Sequence, residues 1–174
     1  MTITNDLQAH YLVKKISKQY ELGKKENLIP TYLNNGIEIF SHQIYAACFA
    51  LENPFVKGFI LADEAGLGKT MEALLIVSQY TRQNRNVLII VPSPTVNDWL
   101  IDLIRKFDIR PYILDNEERI VSENYFISLE KFKGGVVLTT YDYILSNSDR
   151  FKNIDWELCI LDEAHRFRSY KIKE

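Results

Sequence analysis

The chain has 174 residues, the length of about one domain and enough to bury a sizeable core. Hydrophobic residues make up 47% of it and charged residues 25%, which is average globular usage and argues against intrinsic disorder. The net charge of −2 argues against a strongly basic module that coats nucleic acid, although a few local groups could still contact phosphates.

No targeting or membrane segment is evident in the chain. The N-terminal residues lack the continuous apolar core of a secretory signal, and no apolar run approaches the length of a membrane span. The two cysteines, Cys48 and Cys159, have apolar neighbours and lack metal-ligand spacing, so we expect reduced thiols in the core. These features predict a cytoplasmic protein without a membrane partner.

The N-terminal region predicts one amphipathic helix. Apolar residues recur near helical spacing between residues 6 and 26, and a turn-rich stretch, PTYLNNG, follows at residues 30–36. We therefore expect an N-terminal helical extension over residues 1–35 and a domain over residues 36–174.

From residue 36 onward, helices alternate with short apolar strands. Helices are predicted over Ser41–Leu51, over Lys69–Arg82 and from near Pro94. The third helix carries an apolar face made of Val96, Leu100, Leu103, Ile104 and Phe107. Strands are predicted over residues 58–62, 87–91, 112–114, 136–140 and 158–161. Apolar strands that alternate with helices predict a parallel sheet with both faces covered, in which ligands bind beyond the carboxyl ends of the strands.

The segment GFILADEAGLGKT, residues 58–70, predicts a phosphate-binding loop. A strand runs into a glycine-containing loop that opens a helix, so backbone N–H groups and the positive end of the helix dipole converge on an anion. The backbone at Gly66 and Gly68 can approach phosphates closely. Lys69 can reach the β- and γ-phosphates, and the Thr70 hydroxyl can bind Mg²⁺. A glycine turn before an ordinary helix is the alternative.

A second polar motif, WELCILDEAHRF at residues 156–167, also follows an apolar strand. Asp162 and Glu163 lie at the carboxyl end of this strand. In a phosphate-loop ATPase an acid here binds Mg²⁺, and a neighbouring carboxylate orients or deprotonates the attacking water. An acidic pair alone is also typical of a helix N-terminus. Its combination with the loop is far more specific, so Lys69 and Glu163 are the candidate catalytic residues, and Thr70 and Asp162 the candidate Mg²⁺ ligands.

Five motifs in chain order resemble those of the Swi/Snf-type branch of helicase superfamily two, and most closely its bacterial RapA/HepA-like group. The resemblance covers residues 40–168, whereas the first 35 residues carry none. That family reads DE-x-GLGKT at its phosphate loop, so Asp63, where the strict loop pattern has Gly, agrees with the family. The other motifs are FSHQ at 40–43, IIVPSPTVNDWLIDLIRKF at 89–107, VVLTTYDYIL at 136–145 and the DEAH string.

The resemblance implies a three-layer RecA-like lobe of the phosphate-loop NTPase class, with a mostly parallel central sheet, that binds ATP and Mg²⁺. The adenine contact falls on Gln43, and the nucleotide-binding loop falls on Asp63, Glu64, Ala65, Gly66, Leu67, Gly68, Lys69 and Thr70. His165 falls where the family couples the ATP state to the rest of the motor. Contacts to the nucleic-acid backbone are implied at Pro92, Ser93, Thr139 and Thr140.

Several of these residues also suit plainer roles. Gln43 suits a solvated helix position, and Ser41 and His42 before it depart from the Arg or Pro that the family often has there. A tryptophan such as Trp99 is more often part of a core than a platform for a base. Hydroxyls that follow a strand, such as that of Thr140, suit helix N-caps as well as phosphate contacts.

The resemblance implies an ATP hydrolase, namely the ATP-binding lobe of a double-stranded DNA translocase or helicase-like enzyme that remodels protein–DNA complexes. Its implied partners are duplex DNA and RNA polymerase or another DNA-bound protein. Only nine residues follow His165, so we expect a second RecA-like lobe with its arginine finger in a longer natural chain, and little activity from this lobe alone. A non-enzymatic nucleotide-binding scaffold from a truncated gene is the alternative. A small-molecule kinase is disfavoured because it needs no DEAH motif.

Overall fold

The computed structural model describes residues 39–52, 58–62, 66–115, 129 and 132–165. The expected N-terminal helix and the turn after it lie outside these ranges. Within them, no helix combines the length and the apolar character that crossing a membrane requires.

The described helices and strands follow the order expected from the sequence. The helices are α1 (Ser41–Glu52), α2 (Lys69–Arg82), α3 (Val96–Phe107), α4 (Tyr141–Ser146) and α5 (Ser148–Lys152), and a 3₁₀ turn, Ser93–Thr95, leads into α3. The strands are β1 (Asn86–Val91), β2 (Tyr112–Leu114), β3 (Gly135–Thr140) and β4 (Leu158–Leu161). The three helices expected after residue 36 and four of the five expected strands are therefore confirmed.

The four strands form one parallel sheet in the order β2-β3-β1-β4. Asn86 at the start of β1 lies opposite Gly135 of β3, and Val87 lies opposite Leu158 of β4. Parallel neighbours need long crossovers, so the helices between them lie on the faces of the sheet. The carboxyl ends of all four strands lie at one edge, which we call the carboxyl edge.

Strand β1 is buried on both faces, and its side chains alternate between two cores. Val87, Ile89 and Val91 pack in one core with residues of α1, α2 and α3. Leu88 and Ile90 pack on the opposite face with residues of β2, β3, α4 and α5. Two covered faces explain the uninterrupted apolar sequence of β1 and give the three layers of an α/β domain, as the sequence predicts.

The prediction of a strand at residues 58–62 is wrong for the described structure. This segment belongs to no described helix or strand, and Ile60 within it is 91% exposed. An extended segment becomes a strand only where a neighbour completes its hydrogen-bond ladder. The described sheet ends at β4, so residues 58–62 have no neighbour in it.

Two predictions about buried side chains are also wrong. Cys159 is exposed because it lies on the face of β4 opposite Leu158 and Ile160, which pack against the core, whereas Cys48 is buried on α1; both are reduced thiols. On α3, the buried residues include Trp99, whereas Ile104 is 39% exposed. The apolar stripe of that helix is narrower than the sequence suggests and centres on positions three and four residues apart.

Candidate nucleotide-binding site

Helix α2 begins at the carboxyl edge of the sheet. It has 14 residues, about 21 Å of helix, and the 6 residues of β1 span about 20 Å. A tight turn through Asn84, with φ of 55°, reverses the chain between them, and α2 packs beside β1 and β4. Because the two elements have nearly the same length and run in opposite directions, Lys69 at the start of α2 lies level with the carboxyl end of β1.

Two glycines shape the loop that leads into α2. Gly66 and Gly68 have φ of 90° and 89°, a region that L side chains rarely adopt. Gly68 is the N-cap residue of α2, and because it has no side chain, it cannot cap the N–H groups of the first turn. The first turn of a helix presents N–H groups without intrahelical partners, so this helix start can accept an anion.

Lys69 and Thr70 form the first two residues of α2, and both are half-buried. They therefore lie at the carboxyl edge, where the sequence predicts contacts to phosphates and to Mg²⁺. The loop residues Asp63, Glu64 and Ala65 lie outside the described residues.

Helix α1 is tied to the loop through Gln43. The side chain of Gln43 is 3% exposed; its Nε2 donates to the carbonyl of Leu67 at 3.0 Å, and its Oε1 accepts from the N–H of Phe40 at 3.1 Å. His42 Nε2 lies 3.2 Å from the same Leu67 carbonyl. Gln43 is therefore a buried residue that links α1 to the loop by a hydrogen bond, rather than a solvated helix residue. Its contact with adenine stays a prediction, and both ends of its amide already have partners within the protein.

Asp162 is held by hydrogen bonds to residues of three other elements, β1, α3 and α4. It directly follows β4, and its N–H donates to the carbonyl of Ile90 on β1 at 2.9 Å. The hydroxyl of Tyr141, which directly follows β3, donates to the Asp162 carbonyl at 2.6 Å. The indole N–H of Trp99 on α3 donates to Asp162 Oδ2 at 2.9 Å. Backbone and side chain of the predicted metal-binding acid are thus each held by separate elements.

Glu163 and His165 lie further out on the same edge. Glu163 has φ of 52°, and its Oε2 lies 3.1 Å from Nδ1 of His165. Both side chains are more than half exposed, and such an exposed pair contributes little to stability. The Glu163 carboxylate is open to water and lies beside His165, to which the family resemblance assigns coupling of the ATP state to the rest of the motor.

The donor groups at this edge fit Mg²⁺ bound together with a nucleotide. The Thr70 hydroxyl and the Asp162 carboxylate are hard oxygen ligands, the type that Mg²⁺ prefers. Within the part of the chain that the structure describes, no three His, Cys, Asp or Glu side chains cluster to hold a metal. Mg²⁺ commonly takes only one or two protein ligands and completes its shell with waters and phosphate oxygens, so this sparse set suits it.

The four residues predicted to contact nucleic acid have structural roles in this fold. Pro92 is buried, and its carbonyl accepts from both the N–H and the Oγ1 of Thr95 at 3.0 Å; Ser93 begins the 3₁₀ turn. Thr139 and Thr140 are each 1% exposed. The Thr139 hydroxyl donates to the Leu114 carbonyl at 2.8 Å, and that of Thr140 accepts from Tyr143 N–H as the N-cap of α4. Contact with a nucleic-acid backbone stays a prediction for all four.

Trp99 and Tyr141 are site residues that the sequence did not reveal. The sequence assigned Trp99 to the core, and it is buried there, but its N–H also reaches the site. A buried Trp N–H or Tyr O–H usually finds a partner, so the residue types gave a signal. The partner is Asp162 in both cases, and neither spacing nor composition identifies it.

Comparisons with known proteins place the chain in a family. The model of the SNF2-related domain matches residues 42–174. The RNA polymerase-associated protein RapA of Proteus mirabilis is 33% identical over 138 residues, which cover 73% of this chain and 13% of that protein. RapA of Erwinia tasmaniensis is 29% identical over 164 residues, or 86% of this chain and 15% of that protein. The chain thus spans about one seventh of the length of these relatives.

A solved structure supports the same fold. The SWI2/SNF2 ATPase core of Sulfolobus solfataricus, solved in complex with double-stranded DNA, aligns with a TM-score of 0.60 and 22% sequence identity. The alignment covers 76% of this chain and 27% of that one. From the match of the domain model together with these relatives, the chain belongs to the SNF2-related family of helicase superfamily two, as a RapA-like N-terminal RecA-like lobe.

Proposed function

We propose that this chain is the ATP-binding lobe of an ATP-dependent translocase that moves on double-stranded DNA and remodels protein–DNA complexes. The observation that carries the proposal is the meeting of two motifs at one edge: α2 begins at Lys69 beside the carboxyl ends of β1 and β4, and Asp162 directly follows β4. Family membership supports ATP hydrolysis as the reaction, since the family is that of an ATPase core.

In this proposal, one group of residues binds the phosphates and Mg²⁺, and Glu163 activates the attacking water. The first turn of α2 and the Lys69 ammonium hold the phosphates, and Thr70 and Asp162 supply oxygen ligands to Mg²⁺. Mg²⁺ held there would supply positive charge to offset that of the phosphate oxygens. Glu163, open to solvent, orients the attacking water and accepts its proton. His165, within hydrogen-bond distance of Glu163, reports the state of that carboxylate to neighbouring segments.

The partners follow from the names of the relatives. The Sulfolobus core is bound to double-stranded DNA, and the RapA proteins are named for their association with RNA polymerase. We therefore propose duplex DNA as the track, with backbone contacts near Pro92, Ser93, Thr139 and Thr140, and RNA polymerase as a candidate partner. A second RecA-like lobe in the full-length protein would supply the arginine finger, and the cytoplasm is the proposed compartment.

Lys69→Ala tests the nucleotide site. In the full-length protein we expect this substitution to abolish binding of an ATP analogue in a calorimetric titration, because the ammonium that faces the phosphates is lost. Lys152→Ala is the matched control: it removes an exposed lysine paired with Asp149 on α5, away from the carboxyl edge. Unchanged affinity in Lys69→Ala would refute the assignment of the loop.

A measurement of ATP turnover distinguishes the motor from the alternative, a nucleotide-binding scaffold without catalysis. Phosphate release by the full-length protein should rise when duplex DNA is added if the protein is a motor. Glu163→Gln should then keep nucleotide affinity but lose phosphate release, since only the water-activating carboxylate changes. Nucleotide binding without any phosphate release, with and without DNA, would favour the scaffold.

A further inference from the structure

The hydrogen bond between Trp99 and Asp162 joins the core of the domain to its candidate metal ligand. We propose that Trp99 is a positioning residue, whose indole N–H fixes the orientation of the Asp162 carboxylate and thereby sets the affinity of the site for Mg²⁺. The inference rests on the proposed nucleotide-binding function and goes beyond it, because it assigns a role to a residue outside the loop and the acidic pair.

The first support is the rigidity of Trp99 itself. Its side chain is 3% exposed and belongs to the core between the sheet and α1, α2 and α3, in the same cluster as Val96 and Leu103 one turn before and after it. Side chains in close-packed interiors sit in well-defined rotamer minima on the time average. The indole N–H is therefore a fixed donor, and it points at Asp162 Oδ2 from 2.9 Å.

The second support is that, among the residues that the structure describes, the Trp99 bond is the one that reaches the carboxylate of Asp162. The other two bonds at Asp162 involve its main chain, with the N–H bound to Ile90 and the carbonyl bound to Tyr141. These two fix where the residue lies but leave its side-chain torsions free to rotate. The Trp99 bond to Oδ2 removes that freedom and turns Oδ1 to a defined direction.

The third support is chemical. An indole N–H is a hydrogen-bond donor only. It can therefore orient the carboxylate but cannot itself bind the cation. Outer-shell donors of this kind orient metal-binding carboxylates, and their removal typically costs about 10–100-fold in metal affinity. A site with one carboxylate and one hydroxyl from the protein depends strongly on the aim of that single carboxylate.

The test separates affinity for Mg²⁺ from affinity for the nucleotide. A fluorescent ATP analogue is titrated against the full-length protein in EDTA and then at increasing Mg²⁺ concentrations. For Trp99→Phe we expect about a 10-fold or greater rise in the Mg²⁺ concentration at half-saturation, with the affinity in EDTA unchanged. Replacing Trp99 by 3-benzothienylalanine, which keeps the shape but lacks the N–H, should give the same rise. The benzothienylalanine protein therefore tests the role of the indole N–H even if Trp99→Phe folds poorly.

Two further variants serve as controls. Tyr141→Phe removes a hydrogen bond to the main chain of Asp162 and should shift the Mg²⁺ dependence much less than Trp99→Phe. Trp156→Phe removes a comparable indole bond, to the Phe151 carbonyl at 3.0 Å in the other core, and should leave both affinities as in the parent.

The outcomes distinguish this inference from the proposed function. A parent protein that binds the analogue in a Mg²⁺-dependent way, together with an unchanged Mg²⁺ midpoint in the benzothienylalanine protein, overturns the role of Trp99 and leaves the proposed function intact. An equal shift in Tyr141→Phe also overturns it, since the effect would then belong to the main chain. A parent protein that binds no analogue refutes the proposed function, and the inference falls with it.

Discussion

Gly68→Ala should lower the free energy of unfolding, and part of the cause lies outside the loop, in the side chain of Gln43 on α1. Gly68 has φ of 89°, and a methyl group added to it would collide with Nε2 of Gln43. That amide cannot move away without losing its bonds to the Leu67 carbonyl and to the Phe40 N–H. Gly66 has nearly the same φ, but among the described residues no atom lies within 4 Å of the corresponding position. Gly66→Ala is therefore a matched control.

The structure sets the expected magnitudes. A residue with a side chain in the left-handed region costs about 1–2 kcal/mol, and this cost applies to both substitutions. Each hydrogen bond that Gln43 would give up contributes about 1 kcal/mol. We therefore expect Gly68→Ala to lower the free energy of unfolding by about 3–4 kcal/mol, and Gly66→Ala by about 1–2 kcal/mol.

Urea unfolding of this chain, followed by circular dichroism, measures both effects. Gln43→Ala completes a double-mutant cycle, because residues in direct contact show coupling that distant residues do not. In the Gln43→Ala background, Gly68→Ala should cost no more than Gly66→Ala. The reasoning is refuted if the two glycine substitutions cost the same in the parent, or if the excess cost of Gly68→Ala persists when Gln43 is absent.

Three further predictions concern the two edges of the sheet. In the full-length protein, Asp162→Asn should weaken Mg²⁺-dependent nucleotide binding in a Mg²⁺ titration, because the amide oxygen carries no charge for the cation. Glu163→Gln should bind ATP normally yet release phosphate far more slowly than the parent; release at the parental rate would contradict the division of roles. At the opposite edge, the Asn86 side chain donates to the Asp155 carbonyl at 2.9 Å and accepts from Gly134 N–H at 2.7 Å. Asn86→Ala should lower stability in urea unfolding by about 1–3 kcal/mol without changing nucleotide affinity, since both bonds are far from the carboxyl edge.

The sequence predicts those parts of the fold that depend on neighbours along the chain. Helix α2 begins at Lys69 and ends at Arg82 as its apolar periodicity indicates, and a glycine precedes it as its loop requires. Strand β4 has the predicted bounds because four apolar residues are followed by an acidic pair. The parallel arrangement follows from the alternation of helices and strands. Helices α4 and α5 are too short for a periodic pattern, and the sequence did not predict them.

The sequence fails where partners come from distant positions. Whether residues 58–62 form a strand depends on which strand lies beside them, and no local pattern carries that information. Cys159 is exposed for a similar reason, because the burial of a residue on β4 depends on which elements cover each face of that strand. The bond from Trp99 to Asp162 joins residues 63 positions apart, and the amide of Gln43 reaches Leu67 across 24 positions. The sequence draws attention to Trp99 and Gln43, but only the tertiary packing shows which residues they bond to.

The segments predicted to contact DNA lead directly into the residues that hold Asp162. The 3₁₀ turn Ser93–Thr95 opens α3, which carries Trp99, and Thr140 is the N-cap of α4, whose first residue is Tyr141. Trp99 lies in the first turn of α3, directly after the 3₁₀ turn, and Tyr141 directly follows Thr140. If duplex DNA contacts and displaces either segment, we therefore expect one hydrogen bond at Asp162 to lengthen. Two of the hydrogen bonds that hold Asp162 thus come from residues that directly follow, or lie within one helical turn of, the segments predicted to contact DNA.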